Sequence, residues 1–276
     1  MSQDRVPHCP NRNVCHVEIL TPKQSSDRLE EDLAQFGANY RAVVDHGCVV
    51  CIPDNPMGVA RFRATEMISE LGLEVKPDQL MLHLNTCHTK PDLDQILQAA
   101  RKMGVRHLLT VSGDGSPRLP KLSPESLGFT THSTTSVELL QYVRREHGDA
   151  FRYGVAFNPY EPQDHELEKM GRKVAAGAQF IVTQPIVGEN PRLRGLKPFG
   201  LPVVVGAWMS KNLALLSQCV GYEISPDPPY DPIANLMALR EHYPEWCVYL
   251  SLVRFKSQLP ELRKLLSDGD KHKKVG

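Results

Sequence analysis

The sequence predicts an α/β protein built as a single closed (β/α)8 (TIM) barrel with a short N-terminal arm, on three observations. Apolar runs rich in β-branched residues recur eight times, and helical spacing of apolar positions follows each of them. The runs are apolar on both faces, as strands of a covered parallel sheet must be. No Gly-rich dinucleotide fingerprint follows the first run, which counts against an open doubly wound sheet. At 276 residues the chain suits one barrel, since such folds use about 250 residues for a single core. One domain over 1–276 is expected, the barrel proper occupying about 14–268.

The first unit reads as a strand in VCHVEIL (14–20) and a helix over 27–45. GCVVCIP (47–53) leads to a helical segment over 58–72, and LMLHLN (80–85) to one over 91–104. HLLTVSG (107–113) is followed by a long irregular stretch, 113–133, before a helix at 134–148. Loops of that length are usually functional or mobile, and after a barrel strand they lie on the face where active sites are built. RYGVAFN (152–158) precedes a helix at 165–177, and QFIVTQ (179–184) a short piece around 190–200. LPVVVGAW (201–208) is followed by two helices, 212–224 and 232–243, around the stiff loop SPDPPYDP (225–232). The eighth strand, CVYLSLVRF (247–255), leads to a helix over 259–269. Several helical segments end in glycine, which accepts the left-handed conformation of a helix terminus.

Lysine plus arginine balances aspartate plus glutamate at 32 each, which leaves no electrostatic footprint for nucleic acid or an anionic membrane. No run reaches the roughly 20 apolar residues of a membrane span, and the first residues lack the order of a secretory signal, so the expected compartment is the cytoplasm. With seven cysteines and no export signal, reduced thiols are expected rather than a disulfide framework. Cys48 and Cys51 have the spacing of half a zinc site, but in a strand residues three apart face opposite sides. His8, Cys9, Cys15 and His16 offer ligand types without a second pair at a familiar spacing, and no metal is expected. The sequence leaves a homo-oligomer open.

Four polar residues stand in or just past the C-terminal halves of strands. Glu18 is a carboxylate in an apolar strand, either an ordinary strand-end residue with its head in water or a buried acid that needs a partner or a proton. Asp114 lies between two glycines in TVSGDG, where it serves a turn or a ligand. His83 is a strand histidine, a satisfied core residue or a functional one. Gln184, after Thr183 and before a proline, offers a donor and an acceptor side by side, either to loop backbone or to the edge of a heterocycle such as a pterin.

Order and spacing carry more than any single residue. VEILTPK, HLNTCHTKPDL, GVRHLLTVSGDGSP, VAFNPYEP and RKVAAGAQFIVTQPIV resemble the methylenetetrahydrofolate reductase family from about residue 14 to residue 265. The resemblance implies a barrel that binds FAD, takes hydride from NADH or NADPH, and passes it to methylenetetrahydrofolate to give methyltetrahydrofolate. It also implies roles. Glu18 matches the general acid, and Asp114 the carboxylate beside flavin and folate. Gln184, with Thr183, matches the pterin reader, and His83 a flavin-associated histidine. Ser112, Gly113, Asn158, Lys169, Arg172 and Lys173 fall at flavin-side positions, Arg172 and Lys173 as a basic pair for the FAD phosphates.

The chain also departs from the pattern. Val111-Ser112-Gly113-Asp114 stands where Leu-Arg-Gly-Asp is usual, Asn158 where a tyrosine packs on the flavin, and Lys169 where an asparagine is common. The folate side is intact and the flavin side altered. Two alternatives follow: a flavin-free reductase with direct hydride transfer, and a non-catalytic folate-binding subunit, against which the retained Glu18 argues.

Overall fold

The computed structural model describes residues 14–225 and 229–262. Eight parallel strands pair in sequence order and close, β1 with β8: β1 (Cys15–Glu18), β2 (Val49–Ile52), β3 (Leu80–Leu84), β4 (His107–Thr110), β5 (Arg152–Phe157), β6 (Phe180–Ile186), β7 (Val203–Trp208) and β8 (Cys247–Ser251). Around them lie α1 (Leu29–Asp45), α2 (Ala64–Glu70), α3 (Lys90–Lys102), α4 (Ser136–His147), α5 (Gln163–Ala175), α6 (Leu213–Val220) and α7 (Pro232–His242). The predicted sixth piece is a 3-10 helix, Pro191–Phe199. The last predicted helix is described only to residue 262, and the stiff loop lies partly outside the described residues.

Strand alternation divides the core into two shells. Val17, Val50, Leu82, Val155 and Val205 pack outward with helix residues such as Phe36, Leu97, Leu139 and Met170. Val49, Cys51, Met81, Leu109, Phe180, Val182, Val204 and Tyr249 fill the barrel itself. Cys48 belongs to the outer shell and Cys51 to the inner, so the CVVC pair divides between opposite faces as expected. Among the described residues no group of His, Cys, Asp and Glu could hold a metal. Cys15, Cys48, Cys51, Cys87 and Cys219 are reduced thiols. Cys247 is disulfide-bonded, which corrects the expectation of reduced thiols at that position. His8 and Cys9 lie outside the described residues.

Helix starts follow cap chemistry. Thr135 and Glu138 form a reciprocal capping box on α4, Thr89 caps α3 two residues before Pro91, and Asp231 accepts from the N–H groups of Ile233 and Ala234 on α7. The second helix is shorter than predicted, beginning at Ala64 rather than residue 58. Arg61 makes an antiparallel bridge with Lys23, and its N–H donates to Asn55 Oδ1 at 2.8 Å. The backbone before Arg63 therefore has other partners.

Candidate active site at the barrel mouth

Glu18 ends β1 with its carboxyl directed at β8. Tyr249 O–H donates to Glu18 Oε2 at 2.9 Å, and Ser251 O–H approaches the same oxygen at 3.5 Å. Burial pushes this carboxyl up to about 7, while the two hydroxyls and the Arg61 guanidinium pull the other way. A carboxyl with that value holds and releases a proton near neutrality. On the far side of Tyr249, His83 Nε2 lies 3.4 Å from the phenol oxygen. Burial drives His83 down to about 4, so it is a neutral imidazole. The sequence reading missed Tyr249. It was findable, because Cys247, Tyr249 and Ser251 share the inward parity of one strand, two of them with hydroxyls.

Asp54, just past β2, was also missed. Its Oδ2 accepts from the backbone N–H of Asn85 at 3.0 Å and sits 2.6 Å from His88 Nε2, joining the ends of β2 and β3. Asp114 is exposed, and its Oδ2 accepts from the N–H of Met57 at 2.5 Å. The turn holding Met57 is unusual: Asn55 and Met57 are both left-handed, at φ 46° and 57°. A third element reaches the same place, since Cys219 Sγ on α6 lies 3.8 Å from Met57 Sδ. Burial raises the Cys219 thiol, and the Glu18 and Asp114 carboxylates raise it further. Gly113 has φ +78°, and a Cβ there would come within 3.0 Å of the Asn85 side chain. Ser112 is spent locally: its carbonyl accepts from Thr86 Oγ1 and its hydroxyl from the Ser136 N–H.

On β6 the ladder to β7 shifts register between Val182 and Pro185, since proline brings no N–H. Thr183 bridges the break: its hydroxyl accepts from Gly206 N–H at 2.9 Å and donates to the Gln184 carbonyl at 2.9 Å. Thr183 is 3% exposed, with both capacities of its hydroxyl used on the backbone. Its observed work is to hold the Gln184 peptide in place. Gln184 itself is half-buried at the C-terminal end of the strand.

The expected phosphate pair divides between two environments. Successive helix residues point about 100° apart, so one of Arg172 and Lys173 faces the barrel and the other water. Lys173 is buried, its ammonium donating to the Ala156 carbonyl at 2.6 Å with Glu166 3.8 Å away, and burial lowers it to about 8. Arg172 is exposed beside Glu168. Lys169 is also engaged, 2.6 Å from Glu166. The other oxygen of Glu166 accepts from Asn158 N–H, while Asn158 Oδ1 accepts from Tyr160 N–H. These side chains tie α5 to β5.

Comparison with known proteins agrees with this architecture. The model of the family described as "Methylenetetrahydrofolate reductase" matches residues 15–190. Methylenetetrahydrofolate reductase 2 of Schizosaccharomyces pombe is 31% identical over 115 residues, covering 37% of this chain and 17% of the relative. Methylenetetrahydrofolate reductase (NADH) 1 of Zea mays is 30% identical over 189 residues, covering 63% of this chain and 30% of the relative. The alignments thus span well under half of these relatives' own length. Among solved structures, a Xanthomonas albilineans dihydropteroate synthase superposes with a TM-score of 0.51 at 13% identity, covering 95% of this chain and 94% of that one, a likeness of fold alone. Since the family match runs from β1 through the break in β6, it takes in Glu18, His83, Asp114 and Gln184, and the chain belongs to the methylenetetrahydrofolate reductase family.

Proposed function

We propose that this barrel reduces methylenetetrahydrofolate to methyltetrahydrofolate with hydride from NADH or NADPH. The observation that carries the reading is Glu18, a partly buried carboxyl poised near neutral pH at the C-terminal end of a barrel strand. The substrate holds its one-carbon unit as a bridge between two nitrogens. Hydride attacks that carbon only after one C–N bond breaks to leave an iminium cation, and the departing nitrogen needs a proton. Glu18 supplies it. Asp114, with Oδ2 on the Met57 amide, keeps Oδ1 for the pterin and places negative charge near the cation. Gln184 offers its amide to the pterin edge, with Thr183 fixing its backbone.

The family resemblance implies FAD as hydride carrier, with His83 beside it. The commitment of Lys169 and Lys173 to Glu166 and the β5 backbone favours the other route, in which the nicotinamide gives its hydride to the folate directly. Among the described residues no helix is long and apolar enough to cross a membrane.

Steady-state assays with each folate derivative and each nicotinamide test the reading, with methyltetrahydrofolate measured as product. Product is expected without added flavin, and a saturable rise in rate on adding FAD would restore the flavin route. Folate binding without product would leave the barrel as a non-catalytic binding subunit.

A further inference from the structure

We propose that Tyr249 is a positioning residue for the acid, fixing the Glu18 carboxyl so that its proton resides on Oε1, the oxygen left free. This rests on the functional reading above and names a group that neither the motifs nor the family resemblance assigns. Two hydroxyls, from Tyr249 and Ser251, aim at Oε2. An oxygen that accepts from both cannot also carry a proton without a clash of hydrogens. When Glu18 is protonated, the proton therefore takes the other oxygen. Tyr249 is suited to hold this arrangement, being 4% exposed and packed in the barrel's inner cluster.

His83 completes the geometry from β3. With the Tyr249 proton directed at Glu18, the phenol oxygen is open as an acceptor, and His83 Nε2 is 3.4 Å away. A neutral imidazole with its proton on Nε2 extends the line His83 to Tyr249 to Glu18, each group donating to the next. The ionisable groups around the carboxyl come from several elements: Arg61 from the segment before α2, Cys51 on β2, Tyr249 on β8 and Cys219 on α6. Arg61 favours the anion, whereas the thiols and the phenol are neutral near pH 7. The Tyr249 hydrogen bond is the principal local force that stabilises the anion against burial.

The sign of its removal follows. Tyr249→Phe keeps the ring and deletes the bond to the carboxylate, so Glu18 should release its proton at higher pH. Folate reduction needs the protonated acid, so its fall at alkaline pH should move upward by about one pH unit. The carboxyl also loses its fixed orientation, and kcat should fall about tenfold with KM for the folate nearly unchanged. Ser251→Ala should shift the profile in the same direction by less, its oxygen being farther away.

The test takes the wild-type chain, Tyr249→Phe and Ser251→Ala, with folding checked by circular dichroism, and records kcat and KM against pH. In parallel, carbon NMR of glutamate-labelled protein follows the Glu18 carboxyl, assigned by its loss in Glu18→Gln. An upward shift of both the rate profile and the carboxyl titration in Tyr249→Phe supports the inference. A slower variant whose profile and titration both superimpose on wild type overturns it, making Tyr249 a packing residue. Absence of methyltetrahydrofolate from the wild-type protein would instead overturn the functional reading, and with it the catalytic role, while the titration still reports the hydrogen bond.

Discussion

Glu18 makes opposite demands on activity and stability. Its carboxyl is raised from 4.5 to about 7 in the folded chain, so the native state holds a proton that the unfolded state gives up between those values. Stability from this group is full below pH 4.5 and is lost as pH rises through 7, an effect of about 3 kcal/mol. Glu18→Gln should abolish folate reduction while its stability advantage over wild type grows by about 3 kcal/mol between pH 4.5 and 8, read by urea unfolding. Gln184→Ala should weaken folate binding by about 1–3 kcal/mol and leave nicotinamide binding unchanged, checked by titration of each ligand. At this scale the sequence singled out Glu18, Asp114 and Gln184 as polar residues in or just past strand ends, and the family resemblance gave them their roles. It could not show that Lys173 turns inward while Arg172 turns out, since that depends on helix phase against a barrel not yet built. Tyr249 went unnoticed because a tyrosine in a strand reads first as packing.

The elements were nearly all legible, and their differences from expectation have local causes. Strand 107–113 ends at Thr110 because Gly113 turns through positive φ to pass Asn85. Helix 58–72 contracts to Ala64–Glu70 because Phe62 N–H donates to the Pro22 carbonyl and Arg61 to Asn55, bonds between loops that no periodicity encodes. The clearest element-level device is the break in β6. Gly206 lies so close beneath it that a Cβ would meet Pro185 N at 2.7 Å and the Gln184 carbonyl carbon at 2.8 Å, both backbone atoms that yield little. Gly206→Ala should therefore destabilise the barrel by about 2–3 kcal/mol and weaken folate binding through Gln184, whereas Gly171→Ala on α5, where a Cβ meets nothing within 4 Å, should do neither. Thermal unfolding of both variants with folate titration would check it.

In the whole molecule, closure of β1 on β8 brings Glu18 to Tyr249 and Ser251 across more than two hundred residues of chain, a pairing that sequence spacing does not announce. The same closure sets His16 and His83 on the barrel's inner face, His16 fully buried and His83 half-buried, both pulled down to about 4 by burial. For each, the unfolded chain binds the extra proton between pH 6.5 and 4, so stability is full above 6.5 and is lost as pH falls. Glu18 opposes them over most of that range with the reverse sign, leaving a net of one proton and a contribution of about 1.4 kcal/mol per pH unit from the three groups. In Glu18→Gln the opposing proton is gone, so these groups should contribute twice that slope, read by urea unfolding from pH 6.5 to 4.5. The eightfold alternation made the closed barrel legible and the sequence named Glu18 and His83, but the burial that shifts them and His16 became visible only once the ring was shut. The turn at Met57 works at this scale too. Its amide rests on Asp114, its sulfur meets Cys219, and the carbonyl of Gly115 fills the place a side chain at Gly58 would take. Three segments distant in the chain thus share one keystone at the rim, so a change in any of them is felt as a change in the doorway as a whole.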